Sequence, residues 1–392
     1  MADDAEVLPK GVFKASLDGK FYWPVKKKYG PKGDLEDLAK DYNNRILDTA
    51  VFPSLALVET AFGMPAGSAN IGKSIVSFEY EFTDLFLSFM YGVTDRLTAG
   101  FTLPYYWQKN HVKATLDSLH ATVGKNPDLN TLTPLSEPGT VRLTTKDVID
   151  LLGPGLDING DGAIDVSGYG YKRFKTWSER GIGDLEVGAR YQYFSNDDWR
   201  LAFTGGVRLP TGELDDPDDL VDLDFGAGAY ALLFRFNHDY TGIRNLVLNG
   251  SVEYDLILPR KTTLRVPDDV DLPLTFNREK VKRNIGDILG LKLSAEYTLL
   301  KGLSASFLYH FEMKWEDRVK GDMGFNYRSV EEETDTRSHV YVIGLTYSTI
   351  PLFEGKKFPM PLSISVAYRD RFAGKNNVLD TRYIHLGLQV FF

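Results

Sequence analysis

Tyr383-Ile384-His385-Leu386-Gly387-Leu388-Gln389-Val390-Phe391-Phe392 closes the chain. Ile384, Leu386, Leu388, Val390 and Phe392 fall on one side of this stretch, and the last residue is an aromatic. Period-two alternation marks a strand with two different faces. A terminal ring of this kind anchors a last strand at a membrane interface, where barrels carry aromatic girdles. In lipid every backbone N–H and C=O must be paired, and strands achieve that only in a closed barrel. The same alternation recurs along most of the chain. It therefore reads as all-β, a transmembrane antiparallel β-barrel with short periplasmic turns and long extracellular loops.

Composition agrees with that class. The 392 residues include 24 Phe, 21 Tyr and 36 Gly, which suits interfacial rings and close strand packing. There is no Cys, which excludes disulfides and thiolate metal sites. Mean hydropathy is −0.23, since alternation hides apolarity that a membrane helix would show as a continuous run. The net charge of −9 argues against nucleic acid as a partner. Met1-Ala2-Asp3-Asp4-Ala5-Glu6 lacks a basic n-region and an apolar h-region, so the expectation is a mature chain with its signal removed and Met1 added back.

The clearest hairpin runs from Asp84 to Trp107. Leu85, Leu87, Phe89, Tyr91 and Val93 share one face with Leu97, Ala99, Phe101, Leu103, Tyr105 and Trp107 across the turn Thr94-Asp95-Arg96. Asp84, Ser88, Gly92, Thr98, Gly100, Thr102 and Gln108 take the other face, which assigns apolar residues to lipid and polar ones to the lumen. Further pairs are expected at 181–195 with 199–210, 222–237 with 245–258 across Thr241-Gly242-Ile243-Arg244, 285–299 with 303–317, and 337–349 with 361–373. Strands 10–24 and 380–392 open and close the set, giving about twelve strands in a single domain, 1–392. The bacterial outer membrane is the expected location, with its lipid and lipopolysaccharide as surroundings.

Two connections, 25–78 and 110–179, are too long to be simple tips and are expected to plug or cap the barrel. Asp34–Asp41 reads as a short helix. Segment 46–72 is expected either to fold into the lumen as an apolar constriction, with Tyr105 and Tyr106, or to cap the barrel outside as an ordered loop over the rim. Asp157-Ile158-Asn159-Gly160-Asp161-Gly162-Ala163-Ile164-Asp165 carries the spacing of a calcium loop. Asp157, Asn159, Asp161 and Asp165 would offer side-chain oxygens and Ala163 its carbonyl to one structural Ca²⁺. Gly168 stands where the bidentate Glu is usual, so Asp150, Glu179 or water would have to complete the shell. Acidic clusters at 213–219, 268–271 and 331–335 read as solvated loops or as divalent-cation bridges to lipopolysaccharide.

Alternation places Asp184, Glu186, Arg190, Arg208, Glu253, Asp255, Lys292, Glu296, His310, Glu312, Lys314 and Arg369 in the lumen. Charges there belong in water or in pairs. Both signs are present, which speaks against strong ion selectivity. An outer-membrane esterase would need a Ser activated by a nearby His. None of the six His begins a His-x-Ser-Asn-Gly stretch, so an enzyme is not expected.

Tyr91-Gly92-Val93-Thr94-Asp95-Arg96-Leu97, Gly181-Ile182-Gly183-Asp184-Leu185 and Arg208-Leu209-Pro210-Thr211-Gly212 resemble, in the same order, motifs of the outer-membrane family named for the meta-pathway of phenol degradation. The likeness covers roughly residues 80–240. It implies a channel for aromatic or other hydrophobic small molecules. The alternatives are a narrow porin-like pore for small polar solutes and a structural or assembly barrel that transports nothing. Neither the solute nor the oligomeric state is legible here.

Overall fold

The computed structural model describes residues 4–172 and 174–392. Twelve strands form its wall: β1 (Phe13–Tyr22), β2 (Asn70–Thr94), β3 (Leu97–Asp117), β4 (Leu185–Ser195), β5 (Trp199–Leu209), β6 (Ala231–Ile243), β7 (Leu246–Ile257), β8 (Ile288–Leu300), β9 (Leu303–Lys314), β10 (Thr336–Ser348), β11 (Leu362–Lys375) and β12 (Arg382–Phe391). Each pairs antiparallel with its neighbour, and β1 pairs with β12 from Lys14↔Phe391 to Tyr22↔Tyr383, which closes the barrel. The terminal ring acts as the tail pattern requires. Phe13 and Phe392 exchange backbone hydrogen bonds of 2.7 and 3.0 Å, and their rings stack at 5.8 Å. Leu17, Phe21, Leu87, Phe89, Phe101 and Leu388 are exposed on the outer face, while Asp84, Ser88, Thr98 and Gln108 are buried within. The outer face therefore supplies the apolar band that lipid demands.

Several boundaries differ from the sequence reading. β6 begins at Ala231 instead of 222, so 222–230 belongs to a connection. The β6–β7 turn lies one step later than expected, at Arg244-Asn245, with Asn245 in the left-handed region at φ 62°. Asn tolerates that region better than most side chains. The hairpin of β2 and β3 runs far past Asp84 and Trp107, through 25 and 21 residues. A membrane crossing needs only about 9–11 residues. Its outer part stands above the barrel and carries a cap.

That cap holds the main hydrophobic core. Val25, Phe52, Leu55, Ile71, Phe78, Val123, Leu151, Tyr171 and Trp177 pack there, contributed by both long connections and by β2. Helix α1 (Leu55–Phe62) lies in it, so segment 46–72 caps the barrel and does not line the lumen. Helix α2 (Thr145–Leu152) begins with a capping box in which the Thr144 N–H donates to Asp147 Oδ2 at 2.7 Å. The helix expected at Asp34–Asp41 is absent. Leu35–Asp37 pairs as a strand with Lys27–Tyr29, and buried Leu38 and Ala39 follow in turns. A single turn or two without a cap is marginal by itself, so tertiary burial decides.

The acidic loops are tied into the cap. Asp218 pairs with Arg265 at 2.9 Å, Asp335 with Lys375 at 3.2 Å, and Asp216 with Lys172. The exposed pairs Asp216–Lys172 and Asp335–Lys375 add little stability each, whereas Arg265 and Asp218 are largely buried.

Candidate functional site: a two-chambered lumen

Two of the resembling motifs meet in space. Between Ile182 and Leu185 the wall breaks, because Pro104 on β3 has no N–H to offer and accepts only from Gly183 N (2.9 Å). Asp184 turns inward there. Its carboxylate accepts from Gly212 N at 3.0 Å and from Ala227 N at 2.8 Å. Thr211 Oγ1 donates to Gly183 O at 2.8 Å and accepts from Leu185 N at 2.9 Å. The Gly-Ile-Gly-Asp and Leu-Pro-Thr-Gly stretches are thus two halves of one clamp. Glycine is required in it: a Cβ on Gly183 would lie 2.5 Å from the Tyr106 ring, and one on Gly226 2.2 Å from Asp184 Oδ1.

The clamp aims the connection 210–230 into the barrel. Phe225 stacks on Tyr106 at 6.3 Å with an interplanar angle of 8°. Gln108 Nε2 donates to Asp224 O at 3.2 Å, and Asn110 Nδ2 to Val221 O at 3.2 Å. This loop, not 46–72, forms the constriction. Tyr106 belongs to it as expected. Tyr105 does not, since it packs on Trp107 at 4.5 Å on the lipid face. Burial pushes the Asp224 carboxyl up to about 6, with Asp215 adding to the shift and Arg283 and Arg260 opposing it. Burial raises Asp215 also.

Below the loop lies a chamber of about 580 Å³. Aromatic rings line it: Tyr22, Phe82, Phe86, Tyr106, Phe225 and Tyr383. Its charged lining comprises Asp84, Asp184, Glu186, Arg208, Asp224, Arg369 and Arg371. A second chamber of about 500 Å³ lies toward the short-turn rim, and Thr102 and Glu186 line both. Arg190 and Glu296 line this lower chamber.

An ion network forms the waist. Arg208 bonds Glu186 at 2.7 Å and Asp255 at 2.9 Å, linking β4, β5 and β7. Glu253 accepts from Lys292 at 2.6 Å and lies 3.3 Å from Arg235. Glu312 sits 3.9 Å from His310. Lys314 lies farther out, at the rim, bonding Thr334 O at 2.8 Å and Asp317.

Segment 4–12 supplies the floor, which sequence reasoning missed. Arg190 Nη1 donates to Asp4 O at 2.7 Å, Gln192 Nε2 to Ala5 O at 3.0 Å, and Leu8 N to Thr98 Oγ1 at 2.7 Å. Ala5 N donates to the fully buried Asp239 at 3.0 Å. The available signal was Gly92, where a Cβ would lie 2.0 Å from Pro9 O. Tyr22 and Tyr383 were also missed, although each lies two residues from a lumen-facing polar side chain, Lys20 and His385.

In the expected calcium loop, Asp157 accepts from Gly160 N at 2.7 Å and Gly162 N at 2.8 Å, Asp161 from Ala163 N at 2.8 Å, and Asp165 from Ile158 N at 2.8 Å. Asn159 Nδ2 donates to Asp161 at 3.0 Å. Among the described residues, no group of three or more His, Asp or Glu side chains converges as a metal cage.

No protein-family model matches the sequence, and no curated protein matches it. Among solved structures, an outer-membrane channel of Pseudomonas putida F1 superposes with TM-score 0.55 at 12% identity, over 100% of this chain and 99% of that one. The translocator domain of the Neisseria meningitidis autotransporter NalP gives 0.40 at 9% identity, over 98% and 89%. The Ralstonia pickettii toluene transporter TbuX gives 0.38 at 10% identity, over 98% and 90%. The last two are too loose to carry an argument. With its closed twelve-strand wall, its apolar outer band and the fold it shares with the Pseudomonas channel, the chain is a transmembrane β-barrel of the Gram-negative outer membrane.

Proposed function

We propose that the barrel is a channel for facilitated diffusion of small molecules with an aromatic body. The observation that carries this reading is the chamber of about 580 Å³ lined by six aromatic rings and placed directly beneath the constriction. Its volume lies within the roughly 300–1,000 Å³ usual for small-molecule sites. Flat rings can exchange stacking partners along such a wall, while the ion pairs at the waist keep the path wet. The likeness to an outer-membrane channel supports transport as the class. A pore for small polar solutes is the second reading, favoured by the Glu186–Arg208–Asp255 waist.

Swelling of proteoliposomes in isosmotic amino acids separates the two. L-phenylalanine is expected to enter faster than the smaller L-glutamine. Rates ordered by size alone would support the polar pore, and no swelling with either would reject transport.

A structural calcium ion at 157–165 is proposed alongside. Each carboxylate oxygen that accepts one backbone N–H keeps a second lone pair for a cation. EDTA is then expected to lower the Tm by several degrees and calcium to restore it. An unchanged Tm would dismiss the ion.

A further inference from the structure

We infer that Arg369 and Arg371 on β11 form a binding point for the anionic end of an aromatic acid, with the acid's ring held by the adjoining aromatic wall. This rests on the aromatic-channel reading and names the solute class within it. Most charges of the upper chamber are already satisfied. Arg208 has Glu186 and Asp255, Asp184 has two backbone N–H groups, and Asp84 accepts from the Tyr22 hydroxyl at 2.9 Å. The β11 arginines differ. Among the described residues neither has a carboxylate within 4.0 Å. Arg369 Nη1 donates only to the Tyr383 hydroxyl, Arg371 Nη1 only to Leu379 O at 2.6 Å, and Arg371 Nε is buried with no partner. Guanidinium groups withdrawn from bulk water are costly without an anion. Their forked donors match a carboxylate, and their planes stack on rings.

Rings linked by Lys20 lead to this point. Phe225 stacks on Tyr106, whose ring lies 6.2 Å from Phe86. Lys20 sits 4.0 Å over Phe86 and 5.9 Å from Tyr383, and Arg369 lies 5.3 Å over Tyr383. Rings and cations are thus interleaved along one wall of the chamber. Two carboxylates face the same region: Asp84, held by Tyr22, and Glu312, which is 3.9 Å from His310. Neither comes within 4.0 Å of either guanidinium, although the Glu312 charge is near enough to act on both.

The test is titration calorimetry of the refolded full chain with benzoate, benzamide and acetate. Benzoate is expected to bind about tenfold tighter than either its neutral isostere benzamide or the ringless acetate, as a charge-assisted hydrogen bond and a buried ring would each provide. In R369Q/R371Q, benzoate is expected to fall to the affinity of benzamide. Benzamide equal to benzoate in the native chain would overturn the anion site while leaving the aromatic channel standing. Acetate equal to benzoate would overturn the ring's part in it, and no binding of either aromatic probe would sink the aromatic-channel reading itself. Because the three-probe comparison uses the native chain, it decides the matter even if the double variant fails to fold.

Discussion

Replacing Arg208 by Ala is expected to destabilise the folded barrel in lipid vesicles by about 3 kcal/mol, the low end of what breaking a buried ion pair costs. Its guanidinium holds Glu186 at 2.7 Å and Asp255 at 2.9 Å, and Asp255 is almost wholly buried. Without it two carboxylates face each other across the waist, and the nearest remaining base is Arg235, 4.0 Å from Asp255. Chamber water reaches Glu186, which keeps the cost from the upper end of that range. R208A/D255N is expected to recover part of the loss, because it removes the unpaired charge. By contrast, truncating Lys26, whose pair with Glu79 is 65% exposed on the lysine side, should change stability by under about 1 kcal/mol. Urea unfolding followed by Trp fluorescence measures all three. A loss below about 1 kcal/mol for R208A would mean that water, not the ion network, supports the waist.

Strand periodicity made the wall legible, because a residue facing lipid and one facing the lumen differ in kind at every second position. The Asp84–Trp107 hairpin illustrates this: Phe89 and Phe101 lie outward and Ser88 and Thr98 inward, as their alternation requires. The lumen is less legible, because its shape depends on contacts between segments far apart in the chain. Nothing local to 222–230 says that it hangs from Asp184. Its later run of apolar and small residues, ending in Gly228-Ala229-Tyr230, looks like a strand start, and the clamp that draws it inward joins residues 28 and 43 positions apart. Segment 46–72 could be read as constriction or as cap for the complementary reason. Its apolar side chains do need burial, but the outer parts of β2 and β3 offer it outside the membrane. Alternation assigns a charge to a face but not to a partner. Arg208 and Arg369 look alike in the sequence, yet one is neutralised by two carboxylates and the other bonds a tyrosine.

The central claim is that the lumen is the solute path and that the loop after β5 sets its width. Gly212 and Gly226 lie close enough that Phe225 N donates to Glu213 O at 2.9 Å, so residues 213–225 can be replaced by a two-residue Gly-Ser linker without disturbing Asp184's hold on Gly212 and Ala227. Single-channel conductance in planar bilayers should be compared between the native and shortened proteins, with heat-modifiable gel mobility confirming that both are folded. A severalfold rise in the shortened protein is the expected result. Equal conductance in two folded proteins would contradict the claim and place any solute path elsewhere.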